Sequence, residues 1–218
     1  MLGVVIVLSG VVLSGSGAGL LARGGASPPR PTSGFQPVLL DRIAIVVNNQ
    51  PVKHTDIERD LRVTEFLNGE PLNVSAEARK SSANRLIDQA LIRREIQIMQ
   101  YPPAKPEDVQ KLLDQVRNKA PLSRYGITPG QLRKQLTWQL TVLNFINLRF
   151  RPAVLISDAD VEQYYQQHRP QFGARTLEDV RGQIEQQLTG ERVNQQFFTW
   201  LDEARKNATI EYLEADLK

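Results

Sequence analysis

Apolar, largely β-branched residues first gather in a short run, Ile43-Ala-Ile-Val-Val47, followed by Asn48-Asn49-Gln50 and the extended Pro51-Val52-Lys53. That order predicts a small hairpin. Pro51 confines the second arm to a sheet edge, because proline cannot donate to a central ladder. From there to residue 206 the apolar positions recur at helical spacing. Thr55-Asp-Ile-Glu58 has the form of a capping box, and its helix is expected to run to Phe66 before Asn68-Gly69 stops it. Ser75 caps a second helix reaching about Gln100, with Ala83, Leu86, Ile87, Ala90 and Leu91 as its stripe and Tyr101-Pro-Pro103 as its end. Pro106 opens a third, faced by Val109, Leu112, Leu113 and Val116. Thr128-Pro-Gly-Gln131 is another capping box, and its helix to Phe150 carries Leu132, Leu136, Leu140, Leu143 and Phe150 on one side. Ser157 caps a short helix bearing Val161, Tyr164 and Tyr165 that stops before Pro170. Thr176 opens the longest, lined by Leu177, Val180, Ile184, Leu188, Phe197, Leu201 and Ala204. Alternation over Ala208–Leu213 is a strand signature.

The fold class is therefore mainly α: a multi-helix body with a small β-sheet formed by an N-terminal hairpin and a C-terminal strand. Such a sheet ties the two ends of the body together. No period repeats along the chain, which argues against a solenoid.

Residues 1–26 are composed differently. An apolar run over Leu2–Leu13 is followed by small residues and by Gly24-Gly25-Ala26, the pattern of a cleaved secretory signal. No lysine or arginine precedes the run, and a retained membrane anchor over residues 2–22 is the alternative. Either way the body is expected outside the cytoplasm. Residues 27–35 read as a proline-rich linker, leaving 36–218 as the folded domain.

Composition narrows the chemistry. The 218 residues include no cysteine and two histidines, His54 and His168. Thiolate catalysis, disulfide scaffolds and zinc fingers are excluded, and a histidine-rich metal centre is not expected. His54 reads as a cap-adjacent histidine, and His168 as a cation suited to a helix C-terminus. Asp158, Asp160, Glu178 and Asp179 sit in first helical turns, where negative charge is stabilising. No glycine-rich loop follows a strand, so no nucleotide or other cofactor is expected. Charge is uneven: residues 75–151 carry fourteen bases against six acids, and 152–218 seven against twelve. The asymmetry fits either a steered partner or attraction between two parts of one fold. Arg133, Lys134, Trp138, Arg149 and Arg151 are too poor in aromatic company for a nucleic-acid surface. Aromatic residues concentrate in the last third. Phe198 lies about 100° from the Phe197 stripe, so one of the pair meets another layer or is left on a groove, unless the helix is buried over a wide arc, the expected accommodation.

The hairpin Ile43–Val52 running into Thr55–Glu58 resembles the opening of SurA-type periplasmic chaperones. Leu86–Glu95, Tyr125–Arg133, Ser157–Tyr165 and Leu177–Arg205 with Ile210 are similar to later elements of that family, in the same order. The departure lies at 166–176. There the family usually inserts a parvulin isomerase of about a hundred residues, a small domain in itself, and here the connection is short. The resemblance thus implies an ATP-independent periplasmic holdase for unfolded envelope or outer-membrane proteins, without isomerase chemistry. On that reading the candidate client-binding residues of this chain are Leu136, Trp138, Leu140, Tyr164, Tyr165, Phe198 and Trp200. The competing readings are a parvulin-type prolyl isomerase and a helical adaptor docking one envelope partner through Arg133 and Lys134.

Overall fold

The computed structural model describes residues 41–218; the apolar segment 1–26, with its anchor reading, and the linker 27–35 lie outside the described residues. Strands β1 (Ile43–Val47) and β2 (Gln50–Lys53) pair antiparallel, Val47 opposite Gln50 and Ile45 opposite Val52. The two-residue turn between them places Asn48 at φ 46° and Asn49 at φ 67°. Asparagine tolerates this left-handed region, and the turn's twist matches that of the strands it joins. Strand β3 (Ile210–Tyr212) lies along the other side of β1, giving the order β2-β1-β3. Pro51 accordingly sits on an edge strand, and the sheet joins the two ends of the body.

The helices are α1 (His54–Asn68), α2 (Ala76–Ile98), α3 (Pro106–Val116), α4 (Pro129–Arg149), α5 (Asp158–Gln167), α6 (Arg169–Phe172) and α7 (Leu177–Lys206). Side-chain oxygens of Ser75, Thr128, Ser157 and Thr176 each accept a backbone N–H of the first turn, satisfying amides that would otherwise lack partners. The expected box at Thr55 does not form. β2 passes straight into α1, so the helix begins two residues earlier, at His54 with Lys53 before it. Thr55 instead donates its hydroxyl to Asp41 (2.6 Å), whose other carboxylate oxygen accepts the Thr55 amide (3.3 Å). These bonds hold the Asp41 carboxyl below its usual range. A carboxylate from ahead of β1 thus does the capping from outside. Gly69, at φ 74°, closes α1 two residues later than expected. The single turn α6 within 166–176 was not foreseen; Pro170 near its start seeds it, and Phe172 stacks on Tyr165 at 5.5 Å.

Three apolar clusters fill the body. The first joins the sheet to α2, the second half of α4, the second half of α7 and Leu217. The second lies among α1, α3, Tyr125, Ile127 and the first half of α4. The third comprises residues of α5, α6 and the first half of α7, with Ile156. Because α4 serves two clusters, its inward face shifts along its length: Leu132 and Leu136 point into one, Phe145, Ile146 and Phe150 into the other. Leu143, expected on the inner line, is therefore only half-buried.

The C-terminal residues are part of this fit. Leu217 is 2% exposed in the first cluster. Glu214 is approached by His54 Nδ1 (3.1 Å), Arg79 Nη2 (3.2 Å) and Arg42 (3.7 Å). On α7, Arg205 donates to Asp88 (2.5 Å) and to the Asn84 carbonyl (2.9 Å), fixing α7 against α2. Burial pushes the Asp88 carboxyl above its usual range even though Arg205 pulls it down.

Two outcomes are expected. Leu217→Ala lowers stability by about 2–4 kcal/mol through lost burial and a residual cavity, read from the denaturant midpoint. Arg205→Ala costs about 2 kcal/mol at pH 7, less than a fully buried pair would because Arg205 is about a third exposed. A carboxyl whose folded pKa is raised holds its proton more tightly in the native state, so its ionisation penalty disappears as the pH falls through that raised value. The Arg205→Ala deficit therefore shrinks on acidification from neutrality toward pH 4, in urea titrations at several pH values.

Candidate functional site

Phe145 centres an aromatic group in the first cluster. Its ring meets Tyr101 at 5.1 Å, Trp200 at 5.5 Å and Phe150 at 5.8 Å, all edge to face, the arrangement preferred by ring quadrupoles. Phe150 in turn meets Phe197 at 5.9 Å. The Arg149 guanidinium lies 5.5 Å from the centres of both Phe150 and Trp200, and Glu95 at 2.6 Å holds it there. Charge and ring face are thereby coupled at the end of α4.

The outer faces of Phe150 and Trp200 form the floor of an open recess of about 410 Å³, completed by Gln195, Gln196, Thr199 and Glu203. Gln196, Thr199, Trp200 and Glu203 fall on one stripe of α7 at helical spacing, and the turn after α4 supplies Phe150. The rim offers two carboxamides, a hydroxyl and a carboxylate, groups able to donate to and accept from a peptide backbone. Phe198, 41% exposed with its ring 5.3 Å from that of Phe197, is not among the lining residues and points about 160° away from Trp200 around α7. An apolar floor with an amide rim suits an extended polypeptide: one side chain laid on the rings, its backbone met by the glutamines. A smaller recess of about 200 Å³ near Arg59, Arg62 and Gln131 is of another kind. Asp56 and Glu58 on the same helix neutralise its two arginines.

The residues proposed from sequence are not brought together. Leu136 is 1% exposed in the second cluster and Tyr165 3% exposed in the third; both are core residues and present nothing to a client. Their stripes face neighbouring helices rather than solvent. Leu140 packs half-buried on the second cluster, and Trp138 on the first with Arg93 4.4 Å above its ring. Tyr164 stacks on His168 at 4.0 Å. Trp200 lines the recess and Phe198 does not. The wide buried arc expected to cover Phe198 is not found: Phe197 turns inward and Phe198 stays outside. Phe150 was expected as a core residue only, and Gln195, Gln196, Thr199 and Glu203 were missed; their shared stripe beside Trp200 was the available signal.

The polar residues read as structural are engaged locally. His168 donates from Nδ1 to the Tyr164 carbonyl (2.9 Å). Asp158 takes Arg181 (2.7 Å), and the Asp160 carboxylate accepts from the Ser157 hydroxyl (2.7 Å), from Arg192 (2.6 Å) and from the Ser157 amide (2.8 Å), bonds that hold it well below its usual range. The charge asymmetry is absorbed in part within the fold: Arg79 reaches Glu214 and Asp216 across the segments. Arg133 turns to Gln110 (2.6 Å). Among the described residues no group of three or more His, Asp or Glu is placed to hold a metal ion, and no helix is long and apolar enough to cross a membrane. No protein-family model matches the chain and no curated protein does.

The two aromatic neighbours separate in their effects. Phe198→Ser is expected to leave stability within about 0.5 kcal/mol of wild type, as for other surface changes. Trp200→Ala should cost about 3–5 kcal/mol, because it strips the outer wall from Phe145 and Phe150. Chemical denaturation of the two variants measures both.

Proposed function

We propose that this chain is a holding protein that binds extended, unfolded polypeptides without nucleotide and without bond chemistry, and that it is a SurA-like chaperone body working outside the cytoplasm. The observation that carries this reading is the open recess over Phe150 and Trp200, with its amide rim. A side-chain-sized apolar floor and hydrogen-bonding groups of both senses accept many sequences weakly, which is what a holding surface requires. Support also comes from the sheet that joins the ends of the body and from the ordered resemblance of the elements to that family. The export assignment rests on the apolar segment 1–26, and the clients are envelope proteins on the same reasoning. Binding that removes unfolded chains from self-association lowers aggregation by mass action alone.

The test is light scattering of an aggregating, chemically unfolded outer-membrane protein in the presence of residues 36–218. Suppression at stoichiometric to several-fold excess is expected; none at several-fold excess overturns the reading. Thr199→Arg, which sets a bulky charge over the ring floor, should weaken binding of a fluorescent unfolded client about five-fold, the equivalent of about 1 kcal/mol of lost apolar contact, with the fold intact.

A further inference from the structure

We propose that α5, α6 and the first half of α7 form a rigid arm that swings on the rest of the molecule about a two-stranded hinge at Leu155 and Gly190, clasped by Arg192. The arm has an apolar cluster of its own, built from Val161, Tyr165, Phe172, Val180 and Ile184. Two stretches of chain connect it to the body, and both change allegiance at a single residue or turn. On the first, Val154 packs on the body cluster and Ile156 on the arm cluster, while Leu155 between them is 83% exposed. On the second, Leu188 belongs to the arm and Val193 to the body, and Gly190 lies between them in mid-helix.

Gly190, like Gly182 within the arm, has no steric reason to be glycine; what sets Gly190 apart is its place at the change from the arm cluster to the body cluster. A Cβ built there meets nothing within 4 Å, and its helical backbone is open to any L residue. Glycine at such a position removes the side chain that would stiffen the helix, so bending concentrates where packing also stops. The two crossings are held side by side by one residue: Arg192 donates to the Leu155 carbonyl and to Asp160 on α5. Hinges in other proteins are likewise a few element-terminal or loop residues flanked by rigid cores. The arm adjoins the Gln195 end of the recess, but the hinge stands whether or not the recess holds clients.

Because the chain has no cysteine, spin labels can be placed cleanly. One pair, Gln97→Cys on α2 with Gln166→Cys on α5, reports arm against body; a second, Gln166→Cys with Gln183→Cys on α7, reports within the arm. All three residues are exposed. By pulsed dipolar spectroscopy the first pair is expected to give a broad distance distribution that narrows with Gly190→Ala and broadens or shifts with Arg192→Gln. The second pair should stay narrow and unchanged in every variant. A first-pair distribution that is narrow and identical in wild type and both variants overturns the hinge. Broadening within the second pair overturns the rigid arm.

Discussion

The pairing of β1 with β3 is the constraint on which the rest of the body depends. It joins residues 161 apart in sequence, as in the bond from the Thr209 amide to the Asn48 side chain. By the logarithmic scaling of loop closure, bringing such distant residues together costs about 4–5 kcal/mol. Burial of Leu217 returns about 2–3 kcal/mol, and the ladder and turn bonds return about 1 kcal/mol each. Closure is thus balanced rather than overwhelmingly favoured, and the residues after the strand belong to the fold as much as the strand does. Glu214, drawn to cations from just ahead of β1, from α1 and from α2, carries that closure back onto the helices.

Once the ends are joined, α7 has little choice of place. Its second half must run from the sheet across α2 and α4, which sets Phe197 and Leu201 inward and brings Trp200 against Phe145 and Phe150. Its first half extends past that core and needs other company, which α5 and α6 supply. A helix of 30 residues is about 45 Å long, more than one small core can cover. The recess and the hinge both follow from this excess length. The recess lies where α7 still touches the body and the turn after α4 does not fill the surface. The hinge lies where α7 has left one core and not yet rejoined another.

The elements were legible in the sequence because their signals are local. Ser75, Thr128, Ser157 and Thr176 cap in the structure as their spacing foretold, and the alternation near Ile210 marked a strand whose partner followed from there being few other strands to pair with. What was not legible depends on distant partners. Thr55 looked like a cap, but Asp41, brought close by the hairpin, claimed its hydroxyl. Leu136 and Tyr165 looked available because periodicity says which residues share a face and is silent about what that face meets. Phe198 errs the other way: a second phenylalanine beside a core stripe suggests a wider buried arc, yet the neighbouring helices cover only the side that Phe197 occupies. The rim glutamines carried only the weak signal of a stripe shared with Trp200, since polar residues on an exposed helix face are the commonest pattern in any such helix.

The proposed holding surface would have a built-in ceiling on affinity. Its floor is two rings already committed to packing: Trp200 and Phe150 each spend most of their faces on Phe145, Phe197 and one another, and only their outer faces are free. They cannot reorient to wrap a ligand without opening the core, so the surface offers a fixed and small apolar area. The rim is the reverse, since glutamine, threonine and glutamate side chains on an exposed helix are free to adapt but lose rotamer entropy on engagement. A rigid floor combined with a mobile rim gives contacts that tolerate many side chains and reward none strongly. For a protein proposed to release its clients without an energy source, that ceiling is a requirement: each kilocalorie added by a deeper pocket would slow release about five-fold at constant association rate.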